Sequence, residues 1–161
     1  MSATGEFDEA ELQELQQLPL VVASIISAVD YSTISESKEF DAFAAFLEKA
    51  GAKRRKSAFV AEILDEVVDA DHDAFQKRCT AVSSAMSGEK PVETALKQIK
   101  DVGLKLDKRL DKKDARAYKD FIVDVALAVA RAHKESGLPF ASPISKVEDF
   151  HIRRIQQALG L

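Results

Sequence analysis

The acidic segment DEVVDADHDAF, residues 65–75, contains the residue types from which metal sites are built. On one continuous helix Asp65, Asp69 and His72 would share a face, because positions i, i+4 and i+7 recur on the same side. An imidazole and two carboxylates can bind zinc, with water or another ligand completing the tetrahedron. The segment therefore predicts a candidate metal site, which would suit a small helical metal-dependent hydrolase. The alternative is a surface cluster that caps a helix at a kink.

Other catalytic patterns are missing from the sequence. The single Cys79 lies beside apolar helix positions, which favours a small buried residue over a nucleophile. There is no Gly-x-Ser-x-Gly elbow, no Gly-x-Gly-x-x-Gly loop and no P-loop. His133 and His151 each stand alone among neighbours that suggest no ligand set. These residues predict no cofactor apart from the metal ion of the acidic segment.

Composition sets further bounds on the function. A chain of 161 residues with 46% apolar and 31% charged residues suits one soluble globular domain, residues 1–161. The net charge of −4 argues against a dedicated nucleic-acid binder, which needs a concentrated positive surface. The acidic start MSATGEFDEAELQ is unlike a secretory signal, and the apolar run at 18–29 is too short to span a bilayer. We expect a cytoplasmic protein without a transmembrane segment.

Apolar residues recur at helical spacing along the chain, which predicts a bundle of about seven or eight helices. No stretch alternates apolar and polar residues long enough to make a strand, so the predicted class is all-α. In the first half of the chain we predict a short acidic helix from Asp8, a second helix over 19–30 that begins at Pro19, and a third from Ser35 to Gly51. A fourth helix follows KRRK at 53–56 and continues beyond an acidic interruption. In the second half we predict helices over 92–110 and 112–135, with Asp111 as the N-cap between them, and a last helix from Ser145 to Leu159 that ends at Gly160. The residues predicted to be buried are Phe40, Phe43, Phe46, Leu47, Ile122, Val125, Val129, Ile152 and Ile155.

Two similar helix starts occur near the two ends of the chain. ISESKEF at 34–40 and ISKVEDF at 144–150 each follow an Ala/Val/Ile-rich helix and a polar loop. Ser145 with Glu148 matches a capping box, and the Ile before each Ser would pack on the helix that it introduces. Two ordinary helix starts would account for the Ser and Ile, although not for the shared apolar helix. The pattern predicts a repeated helical unit near each end of the chain.

LVVASIISAVDYSTISESKEFDAFAAFLEKAG resembles the first unit of the TerB-like tellurite-resistance family, and VALAVARAHKESGLPFASPISKVEDFHIRRIQQALGL is similar to its second unit. The resemblance covers the outer thirds of the chain. It implies a bacterial, all-helical, non-enzymatic accessory domain built from two pseudo-symmetric units, roughly 19–86 and 92–161. It also implies a link to tellurite resistance and membrane-stress responses, with protein partners that include membrane-associated ones.

Some TerB-like proteins carry acidic loops proposed to bind a divalent cation, and the resemblance assigns Asp30, Glu36 and Glu39 to such a loop. Hard cations such as Ca²⁺ take six to eight oxygen ligands. The match is incomplete, because Tyr31 stands where the family has Gly and the acidic pair is offset by one residue. The alternative is that these carboxylates are solvated charges near a helix end. We expect that the cation site is weak or lost.

Overall fold

The computed structural model describes residues 3–29, 57–68, 77, 89–132 and 146–161. These residues form a short 3₁₀ helix and five α-helices, and they contain no strand, which confirms the all-α class. The helices are η1 (Ala3–Glu6), α1 (Glu9–Val29), α2 (Ala58–Val68), α3 (Glu89–Arg109), α4 (Lys112–Ala132) and α5 (Lys146–Leu159). Other elements of the predicted seven or eight helices lie outside these ranges.

Helix α1 differs from the prediction, which placed a helix boundary at Pro19. The helix runs without interruption from Glu9 to Val29 and has Pro19 inside it. Proline has no backbone N–H, so the carbonyl of Leu15, four residues earlier, loses its helical hydrogen bond. The Tyr118 hydroxyl donates a hydrogen bond of 2.6 Å to this carbonyl instead. A partner from α4 therefore satisfies the group that proline leaves free, and the two predicted helices become one.

Several helices begin or end with residues that cap the helix. Helix α1 begins with a reciprocal capping box, in which the Glu11 N–H donates to Asp8 Oδ1 at 2.8 Å and the Asp8 N–H donates to Glu11 Oε2 at 3.1 Å. The predicted N-cap Asp111 is confirmed, since its carboxylate accepts the N–H of Asp114 at 2.8 Å. The last helix ends at Gly160, whose φ of 77° is the left-handed conformation that favours glycine.

An aromatic row holds the helices around α4 together. We call Phe7, Phe59, Tyr118 and Phe121 the core aromatic row; its successive ring centroids are 5.6, 5.8 and 6.3 Å apart. These rings are almost fully buried, and α1, α2 and α5 all pack against α4. The predicted burial is confirmed for the residues that the structure describes, Ile122, Val125, Val129, Ile152 and Ile155. The four predicted core residues between 40 and 47 lie outside the described ranges.

Helices α3 and α5 lie side by side, and their backbones are close together at Gly103. A Cβ atom added to this glycine would meet the Cα and carbonyl oxygen of Leu159 at 3.4 Å and the carbonyl of Ala158 at 3.5 Å. A larger side chain would therefore push the two backbones apart. Earlier along both helices, Arg154 Nη2 donates to Glu93 Oε1 at 2.5 Å. Because both contacts follow the same order along the two helices, α3 and α5 run roughly parallel.

Candidate protein-interaction surface

The residues predicted to bind metal are mostly outside the described part of the chain. This applies to Asp30, Glu36, Glu39, Asp69 and His72. Asp65 belongs to α2. Both metal sites therefore stay predictions. Within the described ranges, no group of three or more His, Cys, Asp or Glu residues is arranged to hold a metal ion.

Many charged side chains of the described helices are used to join one helix to another. Glu11 at the start of α1 forms an ion pair with Arg109 at the end of α3, and Lys105 lies 3.8 Å from the same carboxylate. The hydrogen bond from Arg109, followed by that from the Asp8 backbone, lowers the pKa of Glu11 below its ordinary value of 4.5. The guanidinium of Arg109 also lies 5.5 Å from the centre of the Phe7 ring. This cluster connects two helix ends and is part of the fold.

The two buried polar residues in the described part of the chain also have partners within the bundle. Lys119 is only 4% exposed, and its Nζ donates to both carboxylate oxygens of Asp107 at 2.7 and 2.8 Å. The buried Ser57 hydroxyl donates to Asp114 Oδ1 at 2.6 Å and accepts the N–H of Val60 at 3.4 Å. Burying polar groups without hydrogen bonds is costly, so these pairs are expected in a stable core. They fix α2 and α3 against α4.

The outer stripe of α3 is different, because its charges are turned to solvent. Glu93, Lys97, Lys100 and Leu104 are all exposed and recur at helical spacing. Leu104 is 53% exposed, although it lies in a helix that packs against α5. Neither Lys97 nor Lys100 forms an ion pair with any residue that the structure describes. Lys97, Lys100 and Leu104 are therefore exposed on this stripe and can contact a partner.

Helix α5 places apolar and basic side chains next to this stripe. Val147 is 54% exposed and Phe150 is 57% exposed, and the two lie one helical turn apart. The Arg154 guanidinium lies 5.7 Å from the centre of the Phe150 ring while it binds Glu93 of α3. Arg154 therefore makes the exposed side of α5 continuous with that of α3. We call this joint area the α3–α5 surface; its residues are Lys97, Lys100, Leu104, Val147, Phe150 and Arg154.

His151 lies beside the α3–α5 surface and has an unusual environment. Its ring meets the Phe150 ring edge to face at 5.3 Å, and its buried Nδ1 has no hydrogen-bond partner among the described residues. Burial, followed by the positive charge of Arg154, lowers the pKa of His151 below its ordinary value of 6.5, although Glu93 acts in the opposite direction. The imidazole is therefore held in its neutral form near physiological pH.

The position of Phe150 in its helix is a sequence signal for this surface. The repeat pattern alone assigns Phe150 to a helix start and does not indicate the surface. The predicted core positions Ile152 and Ile155 already define the buried side of α5, and helical spacing places Phe150 on the other side. A large aromatic residue opposite the core of a short, charged helix is a reason to look for an interaction site.

Comparisons with protein-family models, curated proteins and solved structures find no match for this chain. The TerB-like resemblance therefore stays a prediction that rests on the residues quoted for it. Among the helices that the structure describes, none combines the length and the hydrophobicity needed to cross a membrane.

Proposed function

We propose that this protein is a non-enzymatic accessory domain that binds a partner protein through the α3–α5 surface. The observation that carries the proposal is the adjacent, half-exposed pair Val147 and Phe150 on a helix packed tightly against α3, which exposes Leu104 further along. Single exposed apolar residues are common, whereas adjacent ones rimmed by charged residues mark interaction sites. The resemblance to TerB-like proteins favours the same class of function. It also favours the two-unit, pseudo-symmetric scaffold and a role in tellurite and membrane-stress responses.

The arrangement suits binding for a physical reason. Aromatic and arginine side chains contribute most to protein interfaces, and Phe150 with Arg154 supplies both types in one stacked pair. Burying an exposed Phe side chain contributes about 1.5–3 kcal/mol. The close approach of the helices at Gly103 and the ion pair between Arg154 and Glu93 hold the surface in shape before binding. Such preorganisation reduces the entropy lost on association.

The test is affinity purification of the tagged protein from its native cell, comparing wild type, Phe150→Asp and Gln13→Asp. The control is well matched, because Phe150 and Gln13 are exposed and each is the fifth residue of its helix. We expect one partner in stoichiometric amount with wild type and Gln13→Asp, and its loss with Phe150→Asp. Equal melting temperatures of the three proteins would show that the fold is intact. Recovery of the partner at wild-type levels with Phe150→Asp would contradict the proposal.

A further inference from the structure

The charges of the α3–α5 surface restrict what it can bind. The whole chain has a net charge of −4, yet this surface presents Lys97 and Lys100 without ion pairs to the described residues. The exposed carboxylates of α3 nearest to the stripe are already paired, Glu93 with Arg154 and Asp107 with Lys119. Helical geometry places the exposed Asp101 roughly a quarter of a turn from the stripe, on the side away from α5. A partner that approaches between α3 and α5 therefore meets positive charge, which an acidic segment complements.

The order of side chains along the surface indicates the shape of the partner. Val147 and Phe150 lie at one end, near the Glu93–Arg154 pair, and Leu104 lies at the other end, near Gly103. The two lysines lie between these apolar ends at a spacing of three residues. From Glu93 to Leu104 the helix rises roughly 16 Å, at 1.5 Å per residue. A partner helix of about eleven residues has the same length.

We propose that the α3–α5 surface binds an acidic amphipathic α-helix of a partner protein. This inference rests on the proposed function and names the class of partner. Apolar side chains of the incoming helix, spaced by three, four or seven residues, contact Leu104 at one end and Phe150 with Val147 at the other. Glu or Asp residues between them pair with Lys97 and Lys100. An anionic membrane fits less well, because the apolar groups are separated by the two lysines instead of forming one insertable patch.

The test uses the full-length protein and a displayed library of 18-residue helical peptides. Apolar residues are fixed at positions that form one stripe, and Glu, Lys, Gln or Ser is allowed at the flanking positions. The tested variants are Phe150→Asp and the double variant Lys97→Glu/Lys100→Glu. The control is Lys112→Glu/Lys113→Glu, which makes the same charge change at exposed positions in the first turn of α4.

We expect the selected peptides to be enriched in Glu beside the apolar stripe. Their affinity for the Lys97→Glu/Lys100→Glu protein should fall at least tenfold, and that for Phe150→Asp should fall at least tenfold. The control should bind like wild type. Raising the salt concentration from 50 to 500 mM should weaken binding to wild type more than binding to Lys97→Glu/Lys100→Glu, because salt screens the charge pairs.

Other outcomes overturn the inference in distinguishable ways. Peptides without Glu enrichment that depend on Phe150 but not on the two lysines would exclude an acidic partner and leave the proposed interaction surface intact. Selected peptides that bind Phe150→Asp as well as wild type would contradict the interaction surface itself. Binding to vesicles of phosphatidylserine and phosphatidylcholine that requires both lysines, with no peptide selected, would assign the surface to a membrane instead.

Discussion

Two aromatic clusters of this molecule have similar ring geometry and very different surroundings. In the core aromatic row, Phe59 is fully buried and lies 5.8 Å from Tyr118. At the α3–α5 surface, Phe150 lies 5.3 Å from His151 and more than half of its side chain faces solvent. The core polar groups Tyr118, Ser57 and Lys119 have partners within the bundle, whereas His151 Nδ1 has none among the described residues. The comparison separates aromatic residues that stabilise the fold from one that is available for binding.

The largest expected effect comes from truncating one aromatic residue in each cluster. Phe59→Ala removes a ring with no exposed surface, and cavities of this kind cost about 3–5 kcal/mol in the free energy of unfolding. Phe150→Ala should cost less than about 0.5 kcal/mol, because the ring is already largely hydrated. Urea denaturation followed by circular dichroism measures both values. A loss of stability as large for Phe150→Ala as for Phe59→Ala would remove the distinction between the two clusters.

The next effect concerns the hydrogen bond between Tyr118 and Leu15. Burial raises the pKa of Tyr118 well above its ordinary value of 10.0. The hydroxyl therefore stays protonated and donates a hydrogen bond to the Leu15 carbonyl. Tyr118→Phe leaves the buried Leu15 carbonyl without a partner, at a cost of about 1–3 kcal/mol in unfolding free energy.

A double-mutant cycle with Pro19→Ala sharpens this prediction. Alanine restores the N–H that can donate to the Leu15 carbonyl, so Tyr118→Phe should cost less than half as much in that background. Denaturation of the four proteins gives the coupling energy directly. Equal costs in the two backgrounds would mean that the tyrosine does not replace the bond that proline removes.

A smaller effect is expected for Glu11, which connects α1 and α3. Because the pKa of Glu11 is lower in the folded protein than its ordinary value of 4.5, the ionised form favours folding. This contribution is present above pH 4.5 and is lost as the pH falls through the lower folded pKa. Melting temperatures should therefore be lower for Glu11→Gln than for wild type at pH 7, and the difference should shrink as the pH falls below 4.5. Glu9→Gln, at an exposed position in the same helical turn, should match wild type throughout.

The smallest expected effect is the pH response of His151. Its folded pKa lies below its ordinary value of 6.5, so protons bind the unfolded chain more readily. Stability is consequently lost as the pH falls from about 6.5 through the folded pKa. Between pH 7.5 and 5.5 the melting temperature of wild type should fall by more than that of His151→Gln. The same loss of melting temperature in both proteins would show that the half-buried imidazole does not contribute.

Local sequence determined the helical class, several helix ends and much of the core. The cap at Asp111 and the end at Gly160 depend on neighbouring residues alone, so they could be predicted. Apolar periodicity likewise identified Ile122, Val125 and Ile155, because a helix of known phase has only one side that can be buried.

Only the tertiary structure decided whether Pro19 would end a helix and whether Phe150 would be covered. Pro19 lies within α1 because the carbonyl that it leaves free, that of Leu15, is satisfied by the Tyr118 hydroxyl, 103 residues from Leu15 in sequence. Phe150 is exposed because α3 lies against α5 through Gly103 and Arg154 instead of over the aromatic ring. Both outcomes depend on which groups long-range packing brings together, and no local propensity contains that information.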